Sequence, residues 1–452
     1  MSVSKIPAAG FRCLAAILLM AVAPLAQAIL PIQHWTTSSG ARVYFVGNAD
    51  LPILDVSVEF PAGFAFDTAE TSGLASMTNA MLRKGAAGLG EDAIAQQFAD
   101  IGAQVRDSFD GDKAGISVRT LSDRRRRDAA LSLFARVLAR PEFPAEILAR
   151  EKVRAISSIR ESDLKPDTVA NRNFSRLVYG KHPYALRASG EVDTLNRIRR
   201  DDLVRFYERH YAAPYAVVAI MGNVRWEEAE AIAEQLTADL PKSSEPEPQI
   251  PPVPVLEAGI ERIIAHPATQ SHILIGAPGI RRDDPDYFTL FVGNYILGGG
   301  GFVSRLIEEV RSKRGLAYSA YSYFSPQARK GPFIIGLQTR RDQATESLSV
   351  VRDTLNRFLT GGPTEAELLA AKSNIVGGFP MRIDSNRKMH GYLGMIGFYR
   401  LPLTYLEDFV ANVEKVTVDD IRSAFSRRVD AGRLVTVVVA ADGKPAAAPP
   451  AH

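Results

Sequence analysis

The feature that most constrains this chain is a pattern that occurs twice, 218 residues apart. Asp201-Asp202-Leu203 begins a predicted helix that leads into the apolar run AVVAIMGNV at Ala216. Asp419-Asp420-Ile421 begins a second helix that leads into LVTVVVAAD at Leu434. Two landmarks at one spacing indicate an internal duplication, so we expect two similar halves.

Each half is predicted to be an α+β unit. Near their starts, DVSVEFPAGF from Asp55 corresponds to SHILIGAPGI from Ser271. Apolar and polar residues alternate from Val56 to Phe60, which is typical of a half-buried strand. Residues at helical spacing then predict a helix over Thr68–Lys84, and Pro285 begins the corresponding helix of the second half. Strands followed by helices favour a mixed sheet covered by helices, formed twice.

Composition excludes several classes of protein. The chain has 452 residues, of which 46% are hydrophobic and 23% are charged. This balance is typical of a globular protein and excludes a collagen, a wholly disordered chain and a polytopic membrane protein. The net charge of +3 lacks the strong basic excess of nucleic-acid binders, so we expect no nucleic-acid partner.

The first 28 residues have the pattern of an export signal. Lys5 and Arg12 precede an apolar stretch, and Ala26-Gln27-Ala28 forms a small-residue cleavage site. A spanning helix is the alternative, but the stretch is about 13 residues long where about 20 are needed. No later segment is long and apolar enough to span. We therefore expect an exported mature chain, periplasmic in a Gram-negative source, without disulfides because Cys13 is the single cysteine.

Two more segments are set apart by their composition. Residues 241–256 hold six prolines, at 241, 246, 248, 251, 252 and 254, which predicts a linker. It separates an N-terminal half, residues 29–240, from a C-terminal half, residues 257–442. Residues 443–452, GKPAAAPPAH, are rich in alanine and proline and are predicted to be a disordered tail.

The residues alone show no catalytic centre. The glycine run Gly298–Gly301 follows a helix, whereas a phosphate-binding loop follows a strand, so a helix-helix turn is the better interpretation. None of the seven histidines lies three or four residues from another, and Gly-x-Ser-x-Gly is absent. His182 is interpreted as a loop contact. Arg124–Arg127 is interpreted as a solvated face rather than an anion site, and Met389–Tyr399 as buried helix core rather than an interface.

One stretch resembles a known family. GGGGFVSRLIEEVRSKRGLAYSAYSYF, from Gly298 to Phe324, is similar to the C-terminal half of inverzincin metallopeptidases, the pitrilysin/insulinase and mitochondrial processing peptidase group. The duplication, the Gly73-Leu74-Ala75 segment and Lys181-His182-Pro183-Tyr184 agree with it. The resemblance covers nearly the whole mature chain. It implies that the two halves enclose a chamber.

The zinc motif of the family is missing. Active members carry His-x-x-Glu-His on the first-half helix, and alignment places Ser76, Asn79 and Ala80 at its three functional positions. The remaining family ligand, seven residues after Glu151, corresponds to Ser158. Serine is a poor zinc ligand, asparagine cannot take a proton from water, and alanine has no donor atom. We therefore expect no metal in this chain.

A second part of the family's site is present. The resemblance implies that Arg311 and Tyr318 bind the substrate backbone near the scissile bond, where a guanidinium and a phenol can donate hydrogen bonds. From spacing alone, the alternative is that Arg311 complements the end of a helix over Phe302–Lys313 while Tyr318 packs in the core.

Two functions follow as hypotheses. The first is a substrate-binding subunit, inactive alone, that completes the site of a zinc-bearing paralogue in a heteromeric peptidase. The second is an exported pseudo-peptidase that acts as a scaffold or binds peptides without proteolysis. An independent protease is disfavoured because the ligands are missing.

Overall fold

The computed structural model describes residues 31–439. The predicted export signal and the predicted tail lie outside these residues. Within residues 31–439, no helix is both long enough and apolar enough to cross a bilayer.

The first half contains one large mixed sheet. Its strands and one short hairpin are β1 (Gln33–Thr36), β2 (Arg42–Gly47), β3 (Ile53–Phe60), β4 (Gly85–Ala86), β5 (Leu89–Gly90), β6 (Gln104–Phe109), β7 (Ala114–Leu121) and β8 (Val217–Gly222). The six-stranded sheet has the order β1-β2-β8-β3-β7-β6, and β4 pairs separately with β5. Strands β2 and β8 are parallel, and the other neighbours are antiparallel.

The second half repeats this topology. Its strands are β9 (Ile260–Ile264), β10 (Gln270–Pro278), β11 (Ala317–Phe324), β12 (Pro332–Arg340) and β13 (Val435–Val439). They form a sheet of order β11-β12-β10-β13-β9, in which β13 and β9 are the parallel pair. Strands β11, β12, β10, β13 and β9 thus occupy the places of β6, β7, β3, β8 and β2. The predicted duplication and the α+β class are confirmed.

Helices cover both sheets. Those of the first half are α1 (Leu74–Met81), α2 (Glu91–Ile101), α3 (Arg124–Ala139), α4 (Ala145–Ser162), α5 (Pro166–Tyr179), α6 (Val192–Arg197), α7 (Arg200–His210) and α8 (Trp226–Thr237). Those of the second half are α9 (Tyr287–Asn294), α10 (Arg305–Ile307), α11 (Ala344–Gly361), α12 (Glu365–Gly378), α13 (Asn386–Phe398), α14 (Phe409–Lys415) and α15 (Val418–Arg428).

Each half lends one helix to the sheet of the other half. Helix α5 packs against β10 and β13 of the second sheet, and α13 packs against β2, β3 and β8 of the first. The α5 contact is apolar, with Phe174 and Val178 in one buried cluster with Leu274 and Val437. Because each sheet is completed by the other half, the two halves form one interdependent structure.

The exchanged helix α13 corrects one prediction. Strand β3 was expected to be half-buried, yet its polar residues Asp55, Ser57 and Glu59 are only 5%, 4% and 7% exposed. The cause is α13, which covers the face that a lone half would leave in water. Glu59 accepts hydrogen bonds from Lys113 Nζ and Ser108 Oγ, each at 2.7 Å. Burial opposes ionisation, but Lys113 holds the pKa of Glu59 below its usual value.

A buried carboxylate joins the halves at a turn. Asp112, 1% exposed, lies between β6 and β7. It accepts hydrogen bonds from Tyr184 Oη at 2.5 Å, from the Ala328 backbone amide at 2.7 Å and from Tyr399 Oη at 2.8 Å. Burial and the Asp112 charge raise the pKa of both tyrosines, so each remains a donor. Ala328 and Tyr399 belong to the second half, which makes Asp112 a direct tie between the halves.

The proline-rich segment is bound along its length. It contains no helix or strand, but Tyr215 Oη donates to the Glu245 carbonyl at 2.8 Å and Arg329 Nε donates to the Ile250 carbonyl at 2.6 Å. Glu247 accepts from Arg400 at 2.7 Å. The connection is therefore held by both halves, while the domain boundaries given above remain a prediction.

Two helices are shorter than predicted. The first-half helix begins at Leu74 rather than Thr68, because Asp67 accepts from the backbone amides of Gly73 and Ala75, at 2.8 and 2.9 Å, and holds a turn. Gly73 has φ of 95°, a conformation that favours glycine. In the second half, the helix begins at Tyr287, two residues after Pro285, and becomes π-helical over Tyr295–Gly299.

We expect Asp112→Asn to lower the free energy of unfolding by about 2–4 kcal/mol, because the amide presents an N–H to donors that need acceptors. Urea unfolding at neutral pH measures the change. Asp128→Asn, at a carboxylate with 52% side-chain exposure, is the matched control and should shift stability by less than about 0.5 kcal/mol. Equal effects of the two variants would contradict the role given to Asp112.

Stability should also fall in acid through His210. Its ring is 5% exposed, Nδ1 lies 2.9 Å from the Pro61 carbonyl, and burial lowers its pKa to about 4. The unfolded chain takes up this proton near pH 6.5, before the folded chain does, so stability is lost as the pH falls from about 6.5 to 4. We expect His210→Asn to reduce the dependence of the unfolding free energy on pH between about 4 and 6.5, measured by urea unfolding. If the free energy falls with pH as steeply in the variant as in the unmutated protein, His210 is not the cause.

Candidate substrate-binding site

The three positions of the missing zinc motif lie on α1, and two of them form hydrogen bonds that stabilise the fold. Ser76 Oγ donates to the Gly73 carbonyl at 3.1 Å, and Ala80 is exposed. Asn79 is 2% exposed. Its Nδ2 donates to the Ser108 carbonyl at 3.2 Å, and its Oδ1 accepts from Tyr211 Oη at 3.1 Å. Asn79 therefore ties α1 to β6 and to the end of α7.

The fourth position also lacks a ligand. Ser158 lies exposed on α4. Glu151, seven residues earlier in the chain, forms ion pairs with Arg150 and Arg154, each at 2.8 Å. Across residues 31–439, no group of three or more histidine, cysteine, aspartate or glutamate residues is placed to hold a metal ion. The donor set therefore does not fit the zinc ion that the family resemblance implies for active members.

Arg311 and Tyr318 are brought into direct contact. The Arg311 guanidinium carbon lies 4.8 Å from the centre of the Tyr318 ring and 4.7 Å from the centre of the Phe302 ring. We call these three residues the Arg311 cluster. Phe302 is 75% exposed and Tyr318 is 85% exposed. Among residues 31–439, no group forms a hydrogen bond or ion pair with the Arg311 guanidinium, so its N–H groups are available to a ligand.

Local structure explains this arrangement. Instead of the predicted helix over Phe302–Lys313, the chain forms a short 3-10 turn, one turn of α10 and a π-helical turn, Glu308–Ser312. The glycine run allows close packing, because a Cβ on Gly298 would lie 2.5 Å from the Ser322 amide nitrogen. Asn294 Nδ2 donates to the Ser322 carbonyl at 2.9 Å, fixing the preceding helix against β11. The predicted tight turn at these glycines is confirmed.

The alternative interpretation of Tyr318 as a core residue is wrong, since its ring is mostly in solvent. Tyr318 is the second residue of strand β11, which forms one edge of the second sheet. Tyr321 and Tyr323 follow on the same strand, 41% and 40% exposed, with ring centres 5.9 Å apart. Neither tyrosine was expected in the site from the sequence, although the alternation in AYSAYSYF could have indicated both. The surface thus combines aromatic rings, a cation and an open strand edge.

Other selected residues have structural roles. His182 Nε2 lies 2.9 Å from the Pro251 carbonyl and Nδ1 accepts from the Tyr184 amide at 3.1 Å, which confirms a loop contact. Arg124–Arg127 begins α3; Arg124 is exposed, but Arg127 pairs with Glu228 at 2.7 Å and is only 11% exposed. Met389–Tyr399 coincides largely with α13 and contributes buried side chains, as predicted.

Comparison with known proteins agrees with this geometry. A model described as "Insulinase (Peptidase family M16)" matches residues 45–190, and one described as "Peptidase M16 inactive domain" matches residues 197–375. A crystal structure of a peptidase M16 inactive domain from Pseudomonas fluorescens is 39% identical with a TM-score of 0.87, covering 91% of this chain and 98% of that one.

Two curated relatives have differing descriptions. A non-peptidase homolog of Helicobacter pylori is 23% identical over 401 residues, 88% of this chain and 91% of that protein. An uncharacterized zinc protease of Streptomyces coelicolor is 30% identical over 281 residues, and the match spans 60% of the length of each chain.

The fold and the degenerate motif define a two-half metallopeptidase homologue of the inactive type. The chain belongs to peptidase family M16, and the resemblance drawn from its sequence is confirmed.

Restoring the motif residue at position 79 should damage the fold. Asn79→Glu places a carboxylate against the Ser108 carbonyl in a buried site, and we expect a loss of about 2–4 kcal/mol in urea unfolding. Ala80→His, at an exposed position of the same helix, is the control and should have little effect. A stable Asn79→Glu variant would show that the amide is dispensable.

Proposed function

We propose that this chain is a non-catalytic, substrate-binding subunit of a heteromeric zinc-dependent peptidase. A paralogue bearing His-x-x-Glu-His supplies zinc and the general base, while this chain supplies the Arg311 cluster and half of the chamber. The observation that carries the proposal is the guanidinium held between two exposed rings with its donors uncommitted. The inactive-type relatives support the non-catalytic part.

The chemistry of the cluster suits an extended peptide in three ways. Arg311 presents N–H donors in a fixed plane to peptide carbonyls. Stacking on two rings holds that plane in advance, which reduces the entropy lost on binding. The Tyr318 hydroxyl can donate to the oxygen that becomes negative in the tetrahedral intermediate. None of these groups activates water, so hydrolysis requires the zinc-bound water of the partner.

The same surface offers backbone contacts. Among the described residues 31–439, one side of β11 has no neighbouring strand, and an extended peptide can pair with such an edge. Cleavage of peptides or unfolded polypeptides is consistent with this mode, because a folded protein seldom presents a free extended segment. Because residues 1–28 have the pattern of an export signal, we expect the complex to act outside the cytoplasm, in the periplasm if the source is Gram-negative.

Mutation of Arg311 tests the catalytic contribution. In the complex purified with its zinc-bearing partner, we expect Arg311→Ala to lower the turnover of a fluorogenic peptide by about a hundredfold, the scale of one lost transition-state donor. Assembly should persist on gel filtration. Arg314→Ala is the matched control, because Arg314 pairs with Glu309 at 2.8 Å and is not part of the cluster. Unchanged turnover in Arg311→Ala would exclude the proposal.

The second candidate is a scaffold or peptide-binding protein without proteolysis. The two hydrogen bonds of the buried Asn79 favour this second candidate, because they give the helix that carries the zinc motif in active relatives a structural role here. A pull-down of the tagged chain from its native extract, with zinc analysis and a peptidase assay, separates the candidates. Chelator-sensitive cleavage together with a zinc-bearing partner supports the first, and a metal-free, inactive eluate supports the second.

A further inference from the structure

A small polar cavity lies where α13 of the second half covers the first sheet. Its lining includes Asp55, Arg106, Ser117, Arg119, Arg387 and His390, and we call it the α13 cavity. Its volume is about 80 Å³. A single water molecule needs about 10–15 Å³ of such a space, so the cavity has room for a small polyatomic ion. None of these residues belongs to the Arg311 cluster or to the zinc-motif positions.

The strand register explains why the side chains of the sheet meet here. Arg106 of β6 pairs with Ser117 of β7, and Arg119 of β7 pairs with Asp55 of β3. Directly paired residues share a face of a sheet, and so do residues two apart on one strand. All four side chains therefore lie on the face that α13 covers, and the side chains of α13 complete the cavity from the other side.

The α13 cavity carries an excess of positive charge. Asp55 accepts two hydrogen bonds from Arg119, at 2.7 and 2.8 Å, and these engage both of its carboxylate oxygens. Arg387, at the start of α13, donates only to Gln104 Oε1, at 3.4 Å. In the described part of the chain, residues 31–439, no acidic side chain forms an ion pair with Arg106 or Arg387. Two guanidinium charges at the cavity are therefore uncompensated.

These groups suit a tetrahedral dianion better than a planar carboxylate. Arg387 approaches from the helix, whereas Arg106 and Arg119 approach from the sheet, so their N–H groups can reach oxygens that point in different directions. Ser117 Oγ donates one long hydrogen bond, of 3.4 Å, to the Arg106 carbonyl, and the hydroxyl can turn toward a ligand instead. Arginine forms strong charge-assisted hydrogen bonds with phosphate oxygens. The two uncompensated positive charges match the two negative charges of such an ion.

His390 adds a hydrogen-bond acceptor to the lining. Its Nε2 lies 3.3 Å from the Ala219 carbonyl, which can only accept, so Nε2 carries the ring proton. Burial lowers the pKa of His390, which keeps the ring neutral at neutral pH and leaves Nδ1 as an acceptor. The ion HPO₄²⁻ retains one P–OH group that can donate to Nδ1. Sulfate and the dianion of a phosphate monoester have no such proton.

We propose that the α13 cavity binds inorganic phosphate as HPO₄²⁻. Arg106, Ser117 and Arg119 belong to the first half, and Arg387 and His390 belong to the second, so the bound ion joins the two halves. A ligand that binds only the folded chain raises its stability. This site is separate from the proposed role in a peptidase and needs no zinc-bearing partner, so it is tested on the isolated chain.

Isothermal titration calorimetry with sodium phosphate at about pH 8 tests the site, with sodium chloride added to keep the ionic strength constant. We expect one phosphate ion per chain, with a dissociation constant below about 1 mM. The midpoint of thermal unfolding should rise with phosphate concentration. Sulfate and glycerol phosphate should bind at least about tenfold more weakly, because neither can donate a proton to His390 Nδ1.

Two variants assign the binding to the cavity. Arg106→Gln and Arg387→Gln should each weaken phosphate binding by at least about tenfold. Arg209→Gln, at an exposed position of α7 outside the cavity, is the matched control and should leave binding unchanged. Arg106 and Arg387 are exposed, so without phosphate both variants should unfold at the midpoint of the unmutated chain, which separates lost binding from lost folding. The proposal is overturned if phosphate shows no saturable binding, if sulfate binds as tightly, or if both variants bind phosphate normally.

Discussion

The buried carboxylate of Asp112 is the interaction on which the relation of the two halves depends. It is almost fully removed from water and accepts three hydrogen bonds, two of them from the second half. A buried charge is tolerated only where donors surround it, so the turns that carry these donors must meet in one arrangement. The reciprocal packing of α5 and α13 and the bound linker also hold the two halves together. Together they fix the surface on which β11 and the Arg311 cluster are displayed.

The two parts of the family's active site differ in this chain: the positions of the zinc motif have structural roles, and the residues around Arg311 remain open to a ligand. On α1, Asn79 has become a buried hydrogen-bonding residue between β6 and α7. Around β11, the rings of Phe302 and Tyr318 are exposed, and the guanidinium of the half-buried Arg311 lies against both of them. A partly exposed, preorganised cation contributes little to stability and is well suited to binding. In the proposed function, this chain therefore contributes to recognition of a peptide, and its zinc-bearing partner hydrolyses it.

The sequence predicted much of the fold because the duplication supplied two copies of each signal. The strand at Val56–Phe60, the helix after Asp201 and the run at Leu434 all occur as predicted. The burial of Ser57 and Glu59 was missed, because alternation reports on one half alone and α13 comes from the other half. The single helix expected over Phe302–Lys313 is replaced by a 3-10 turn, one turn of α10 and a π-helical turn, because the spacing of apolar residues does not distinguish these hydrogen-bond patterns.

For the site, the residue types at the zinc motif predicted that this chain holds no metal, and the family resemblance selected Arg311 and Tyr318, since spacing alone favoured structural roles for both. Neither could show the role of Phe302. Its ring lies nine residues before Arg311 in the chain and reaches the guanidinium only because of the interrupted turns between them. Tertiary contacts of this kind leave no periodic trace in a sequence.

The reciprocal exchange of helices has a consequence for how the protein is made. During synthesis the first sheet can form once residue 222 has emerged, but α13 is not complete until residue 398. Until then, Asp55, Ser57 and Glu59 on β3 face water, because the helix that covers them has not yet been made. Domains usually fold in sequence as they leave the ribosome. Here the first half cannot complete its packing until the second half has been synthesised. We therefore expect neither half to fold stably when it is produced alone.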